Sequence, residues 1–375
     1  MLHLWNQAEL LPLTSKMAQH LQTPSSRPDY SSIHSPDTGK ESSTTRQWPE
    51  NPFTLIRTVH PTNEASDTSP DAKTIHVARL MALTHNTIFR ALNAIYAQSS
   101  LVPSGGSDPQ AVKDLLTFTK FTMAFLQNHH KCEELVFFPM LEAQASRPGM
   151  MSVDVEQHKA FEDSLHDLEV YVALGLESLT GKGDKARKAE WEFKPQDLRF
   201  KIDALAEPLS KHLHDEIPRL LEVGKLVGPD TLETCYTALH DEAEGTTDAF
   251  EIGPLVLGCQ DRTFKIDNQE IQFPVLPFSW APYLVQHIVA RKHAGAWRFC
   301  PSTFFGEPKG TEWFSLNGTI TSSNEYGENK RSSGRFALVL FIVVAALVFV
   351  GFGGKRPEFP VGHWFHGLFS LVGSK

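Results

Sequence analysis

Apolar residues recur at spacings of three and four along four stretches of the chain, which is the period of a helix that buries one face. The stretches cover residues 75–98, 108–145, 152–178 and 196–223. Asp108 followed by Pro109 is a typical helix start, and Ser152 supplies a similar cap for the third stretch. The pattern predicts an all-α antiparallel four-helix bundle over residues 72–225.

The segment after the bundle has a more mixed pattern. Residues 230–250 and 281–292 have helical character, and FKIDNQEIQF is typical of a short hairpin that turns at Asp267 and Asn268. These features predict a small mixed C-terminal extension over residues 226–310.

The two ends of the chain differ from this core in composition. Residues 1–71 are rich in Ser, Thr, Pro and Asp, which predicts a disordered leader. Residues 336–354 form a run without charge, long enough to cross a bilayer core of about 30 Å. A linker over 311–335, a transmembrane helix over 336–354 and a tail over 355–375 follow from this interpretation. The N-terminus has no basic segment before its apolar residues and is therefore a poor signal peptide. We expect a single-pass membrane protein whose bundle lies on the cytosolic side.

Composition narrows the possible partners. The net charge is -9 and no basic stripe is present, so nucleic acid is not expected to bind. The four cysteines lie far apart without a CxxC pair, which argues against a zinc knuckle and a disulfide framework. A reducing compartment is therefore expected.

Each predicted helix carries at least one candidate metal ligand. Two helices carry a His followed four residues later by a Glu within an apolar stripe, and the other two carry a single His. These residues are His85, His129, Glu133, His158, His212 and Glu216. A buried His is often only a hydrogen-bonded core residue, but two buried carboxylates require a counter-charge. Four imidazoles and two carboxylates from four helices form the ligand set of a di-iron site.

The register of the second helix leaves two alternatives. His130 and Glu134 have the same spacing as His129 and Glu133. The phase of the apolar stripe and the placement before Pro139 favour the earlier pair.

Four segments carry a resemblance to a known family. The stretch FLQNHHKCEELVFFPMLE, together with LTHNTIFRAL, EQHKAFEDSL and SKHLHDEIPRLL, resembles the hemerythrin-like HHE cation-binding domain over about 140 of the 375 residues. The following segment is similar to the C-terminal extension of fungal members. The resemblance implies that His85 and His129 bind one iron, that His158 and His212 bind the other, and that Glu133 and Glu216 bridge them. Open coordination positions would then accept O2, NO or peroxide.

This chain departs from the oxygen-carrying hemerythrins at two positions. Glu162 stands where they have a second His on the third helix, and Glu216 stands where they have a bridging Asp. Glu162 is an iron ligand, an acceptor for a ligand imidazole, or a solvent-facing residue. Carboxylate in place of imidazole would favour ferric iron, so storage, sensing or redox chemistry is expected rather than reversible oxygen carriage.

These features predict a membrane-tethered non-haem di-iron protein that binds or senses O2, NO or iron. One alternative is a di-iron oxidoreductase that consumes O2 or peroxide, and another is an interaction module with a structural metal. The sequence does not decide whether the protein is an enzyme, although it favours a binding protein.

Overall fold

Four long helices pack side by side in a ring in the computed structural model, which describes residues 51–60, 70–104, 107–180, 191–274, 276 and 279–309. The helices are α1 (Ala72–Ser99), α2 (Pro109–Cys132), α4 (Ser152–Thr180) and α5 (Pro195–Val227). Helix α2 continues through a π-helical turn (Glu133–Phe137) into α3 (Phe138–Ala145). Each helix packs against the next one along the chain, and α5 returns to α1. All four predicted bundle helices are present.

Caps at the ends of the helices follow the sequence signals. The Asp71 carboxylate accepts a hydrogen bond from the Lys73 backbone N–H at 2.8 Å at the start of α1. Asp108 does the same for Ala111 at 2.9 Å, as predicted for the start of α2. At the end of α5, Gly228 has φ +85°, a value that side-chain-bearing residues rarely adopt.

The π-turn in the second bundle helix has a cause in the sequence. Pro139 has no N–H to donate to the carbonyl of Leu135, so a regular α-helix would lose a hydrogen bond there. The backbone N–H of Phe138 instead donates to the carbonyl of Glu133, five residues earlier. The extra residue in this turn begins at one of the candidate ligands, and π-turns are frequent at functional sites.

The π-turn also moves the buried face of the helix. The regular period predicts that Val136 and Met140 point inward, but both are half-buried. Phe137 and Leu141 are fully buried in their place. The predicted apolar stripe is therefore correct as far as Glu133 and shifted by one residue after it.

Residues 51–60, which we call the N-terminal strap, pack against the bundle. The apolar side chains of the strap are almost fully buried, at 0–4% exposure; they are Phe53, Leu55, Ile56 and Val59. Asn93 on α1 accepts from the Phe53 N–H at 2.9 Å and donates to its carbonyl at 2.7 Å. Asn86 likewise accepts from the Ile56 N–H at 2.8 Å and donates to the Ile56 carbonyl at 3.0 Å. The strap thus differs from the disordered leader expected there, because its backbone is paired with buried amides.

The C-terminal extension is helical in the part of the chain that the structure describes. It contains α6 (Pro229–Thr246), α7 (Ala249–Cys259), α8 (Ala281–His287), a 3-10 turn (Val289–His293) and α9 (Ala294–Trp297). Helix α7 packs on α1 and α2, and α9 packs on α2. Trp297 stacks on Phe121 of α2, with ring centroids 5.3 Å apart. The extension therefore shares the core of the bundle.

The predicted mixed character of this extension is wrong. The described residues contain no strand, only isolated bridges such as Ile266 to Gln269. The turn between them lies at Asp267 and Asn268 as predicted, with φ +54° and +58°. A single bridge does not extend into a ladder, so the turn remains part of an irregular connection.

The predicted single-pass membrane placement is also corrected. No helix in the described ranges is long and apolar enough to cross a membrane. The run 336–354, on which that prediction depended, lies outside the described residues. So do the whole linker, the whole tail and most of the leader.

Candidate metal centre

Each bundle helix delivers ligand-type side chains to one buried level. Helix α1 contributes one imidazole, α2 contributes two, α4 contributes one, and α5 contributes an imidazole and a carboxylate; the π-turn contributes the second carboxylate. These residues are His85, His129, His130, His158, His212, Glu216 and Glu133. All are at most 6% exposed. Their neighbours on the same helical faces are apolar. Burial of these faces in the bundle therefore brings the seven side chains inward together.

The seven side chains form two groups. The first group is His85, His129, Glu133 and Glu216, and the second group is His130, Glu133, His158 and His212. Within each group the potential ligand atoms all lie within 4.8 Å of one another. Both groups are able to bind a metal cation, because imidazole nitrogens and carboxylate oxygens suit first-row transition metals.

Glu133 belongs to both groups, and its two oxygens face different sides. Its Oε1 lies 3.0 Å from Nε2 of His129, in the first group. Its Oε2 lies 3.6 Å from Nε2 of His158, in the second group. Glu216 lies in the first group only, with its Oε2 3.2 Å from Nε2 of His85.

Within each group, two imidazoles present their Nε2 atoms to each other. The distance is 3.1 Å between His85 and His129, and 3.0 Å between His158 and His212. At this separation, the two nitrogens of each pair would be able to hold one cation between them.

Hydrogen bonds at the opposite ring nitrogens set the orientation of these imidazoles. Nδ1 of His85 donates to the backbone carbonyl of Leu213 at 2.8 Å, which leaves the Nε2 lone pair free for a metal. Nδ1 of His158 lies 2.7 Å from Oε1 of Glu134. Nδ1 of His212 lies 3.4 Å from the side-chain oxygen of Gln157.

The two buried carboxylates test whether a metal fits this site. All four oxygens of Glu133 and Glu216 are buried and accept no hydrogen bond from the described residues. Burial, and next the negative charge of Glu216, raise the pKa of Glu133 well above its usual value. Buried carboxylates without partners are costly, and a cation between them removes that cost. The residues present therefore fit a bound metal.

The imidazoles are suited to ligation for a related reason. Burial, assisted by the neighbouring imidazoles, lowers the pKa of His129, His130 and His212 well below the usual range. These rings are consequently neutral at physiological pH, and a neutral imidazole is the form that binds a metal.

A buried ion pair lies next to the centre. Asp154 on α4 is 0% exposed and contacts Arg219 on α5 at 2.6 Å. Burial, and then the charge of Glu216, raise the pKa of Asp154 to about 6. Arg219 offsets the charge of Asp154 and joins the two helices that carry His158 and Glu216.

The structure places residues from both alternatives for the second helix at the centre. His129 and His130 both point inward, because adjacent helical positions are about 100° apart and a metal group lies on either side. Glu133 points inward with them, whereas the side chain of Glu134 is 42% exposed and contacts His158 from outside. Glu162 is exposed and belongs to neither group, which matches the solvent-facing alternative.

Sequence reasoning missed three contributors around the centre. Asp154 and Gln157 lie one turn or less before His158 on α4, and no spacing rule singles them out. The carbonyl of Leu213 is a backbone group and has no residue signature. Pro139 was the available signal for the π-turn, since a helix-interior proline demands a local rearrangement.

Comparisons with known proteins agree with this geometry. The family model described as the hemerythrin HHE cation binding domain matches residues 76–222, a range that contains every residue of both groups. The chain is also similar to "Dimeric xanthone biosynthesis cluster protein R11" from Cryptosporiopsis sp. (strain 8999). The two are 33% identical over 258 residues, which is 69% of this chain and 89% of the relative. No solved structure matches this chain.

Proposed function

The chain belongs to the hemerythrin HHE cation-binding family, and on that premise we propose that its bundle holds two non-haem irons and binds a small ligand such as O2 or NO at them. The observation that carries the proposal is the position of Glu133, whose two oxygens face two separate groups of ligands. A carboxylate placed in this way is suited to join two metal ions.

The donor atoms support iron as the metal. The first group offers two imidazoles and two carboxylates, and the second group offers three imidazoles and one carboxylate. Neither group contains a thiolate, the ligand that soft metal sites use. Mixed nitrogen and oxygen sets of this kind suit non-haem iron, and bound iron supplies reversible ligand binding or electron transfer at its open positions.

The protein side chains have three tasks in this proposal. Glu133 and Glu216 hold the positive charge of the metals in a buried region. The outer hydrogen bonds of His85 and His158 keep each Nε2 aimed at its group. Phe138 and Phe161 exclude bulk water from the imidazoles: their ring centroids lie 5.7 Å from that of His158 and 5.0 Å from that of His130, respectively.

A second candidate function is an oxidoreductase that consumes O2 or peroxide at the same centre. The relative's name places that protein in a biosynthesis cluster, a setting in which redox enzymes are useful. We infer the binding function first because the geometry supports a metal centre directly, whereas the described residues do not identify an organic substrate.

Elemental analysis of the purified full chain tests the metal proposal. We expect about two irons per chain and an absorption spectrum that changes when O2 or NO is added to the reduced protein. A His158→Ala variant should lose iron, whereas His166→Ala, on the exposed side of the same helix, should not. Full occupancy by zinc, or a spectrum that responds to neither gas, would contradict the proposal. Continuous O2 consumption with an added reductant would favour the oxidoreductase.

A further inference from the structure

Two cysteines of the C-terminal extension lie together far from the metal centre. Cys259 is the last residue of α7, and Cys300 follows α9. Both are 0% exposed. Although 41 positions separate them in the sequence (300 − 259), their side chains are within hydrogen-bonding reach of each other.

Backbone hydrogen bonds hold the two segments side by side. The Ser302 N–H donates to the carbonyl of Gly258 at 2.8 Å, and the Arg262 N–H donates to the carbonyl of Gly306 at 3.0 Å. The Gln260 side chain adds a third link by donating to the carbonyl of Phe304 at 3.0 Å. The relative position of the two cysteines is therefore set by several contacts on both sides of the pair.

A glycine next to Cys259 makes room for the second sulfur. A Cβ added at Gly258 would lie 2.8 Å from Cβ of Cys300 and closer still to its sulfur. Such distances do not occur in real structures, so Cys300 occupies the space that a side chain at Gly258 would need. The close approach of Cys300 to this end of α7 thus depends on the glycine.

The chemical environment favours an uncharged product of the two thiols. Burial, and then the contact with Cys300, raise the pKa of the Cys259 thiol well above its usual value. A thiolate is therefore disfavoured in the folded structure, whereas a disulfide carries no charge and has no such burial cost. Lys309 lies close by, and its charge attracts a thiolate on either cysteine when one forms.

We propose that Cys259 and Cys300 form a disulfide that joins the end of α7 to the segment 300–309. The oxidant is a small disulfide such as oxidised glutathione. When local opening of the segment exposes the pair, one cysteine thiolate attacks this oxidant, which gives a mixed disulfide and releases one glutathione thiolate. The second cysteine thiolate then attacks the protein sulfur and releases the second glutathione. In total, two protein thiols lose two electrons and two protons, and one oxidised glutathione becomes two reduced molecules.

The two other cysteines provide controls within the same chain. Cys132 lies on α2, where its sulfur contacts the Thr246 hydroxyl at 3.9 Å, and Cys235 lies on α6. Both are buried. They therefore test whether burial alone, without a neighbouring thiol, is enough for oxidation.

Peptide mapping of the full-length holoprotein tests the proposal. The protein is incubated with oxidised glutathione, quenched with acid, unfolded and alkylated, and then digested without reductant. We expect a cross-linked peptide that contains Cys259 and Cys300, while Cys132 and Cys235 are alkylated. The Cys132→Ser/Cys235→Ser variant should keep the cross-link, and Cys300→Ser should lose it. Reduction should lower the melting temperature by about 5–10 °C, because the bond closes a long loop.

Two results would overturn the proposal. One is alkylation of all four cysteines in protein that stayed folded during the incubation, as judged by circular dichroism. The other is a cross-link that involves Cys132 or Cys235. Both are read from the wild-type protein, so neither depends on whether a cysteine variant folds.

Discussion

The two metal groups share Glu133 but differ in charge. The first group adds a second carboxylate, Glu216, to two imidazoles, whereas the second group has three imidazoles and no other carboxylate. The first group therefore offers two negative charges to a cation, those of Glu133 and Glu216. The second group offers only the charge of Glu133, which it shares with the first. From this difference we expect that a metal in the first group would be bound more by charge and one in the second more by nitrogen coordination.

The two groups also differ in how their imidazoles are held from outside. His85 in the first group donates to the backbone carbonyl of Leu213, which is fixed by the fold of α5. His158 and His212 in the second group depend on the side chains of Glu134 and Gln157. The support of His85 thus comes from the backbone, whereas that of His158 and His212 comes from side chains that a substitution can remove.

Removal of all metal should have the largest effect, because it affects both groups at once. Without a cation, Glu133 and Glu216 remain buried without hydrogen-bond partners. We expect chelation to destabilise the bundle by on the order of 3 kcal/mol, which lowers the melting temperature by about 5–10 °C. Thermal denaturation followed by circular dichroism measures this change.

A double variant separates lost coordination from buried charge. Glu133→Gln/Glu216→Gln should bind little metal, yet its metal-free form should melt at a higher temperature than metal-free wild type, because amides carry no charge. Equal melting temperatures for the two metal-free proteins would show that the carboxylates are not the source of the instability.

Substitution of the shared carboxylate should come next in size. Glu133→Gln removes the negative charge that both groups share and replaces one of the two carboxylate oxygens by an NH2 group, with almost no change in side-chain volume. We expect the iron content to fall from about two to well below one per chain. Retention of both irons would show that Glu133 does not join the groups. Glu133 is the residue that distinguishes one connected centre from two independent ones.

One-sided substitutions should separate the groups. Glu216→Gln removes a negative charge from the first group only, and His130→Ala removes an imidazole from the second only. We expect each variant to keep about one iron, with the first group more affected by loss of charge. Metal analysis and the absorption spectrum of each variant provide the measurement. The same content of two irons in both variants would contradict the assignment of ligands to groups.

The sequence predicts much of this centre because periodicity is a strong signal. Helical spacing is enough to place His129 and Glu133 on one face and His212 with Glu216 on another. Spacing assigns one inward face to each helix, so it treats His129 and His130 as alternatives. Because the centre extends across the bundle, with one group on either side of α2, it accommodates both residues. The positions of the two groups are set by the other helices and not by α2 alone.

Other features lie beyond local patterns for identifiable reasons. The N-terminal strap depends on Asn86 and Asn93, about 30 to 40 positions away, which pair with its backbone. Loop composition therefore gave no sign that Phe53 and Ile56 would be buried. The contact between Cys259 and Cys300 likewise depends on the path of the whole extension. Pairings of this kind are set by tertiary structure, which a single sequence does not reveal.

The smallest effect concerns the outer support of the second group, and here the chain offers a matched pair of glutamates. Glu134 contacts Nδ1 of His158, whereas Glu162 lies exposed one turn after that histidine. Glu134→Ala should lower the affinity of the second group for its metal by roughly 10–100-fold, since loss of an outer hydrogen bond leaves the imidazole less well oriented and less basic.

Matched variants separate this effect from a change in surface charge. Glu134→Gln should lower the affinity less, because an amide oxygen still accepts a hydrogen bond. Glu162→Ala should change nothing, and the first group should be unaffected in all three variants because its support at His85 comes from the Leu213 carbonyl. Competition with a metal-sensitive dye, which resolves two binding steps, measures these affinities. An equal loss in the Glu134 and Glu162 variants would show that surface charge, rather than orientation of His158, sets the affinity of the second group.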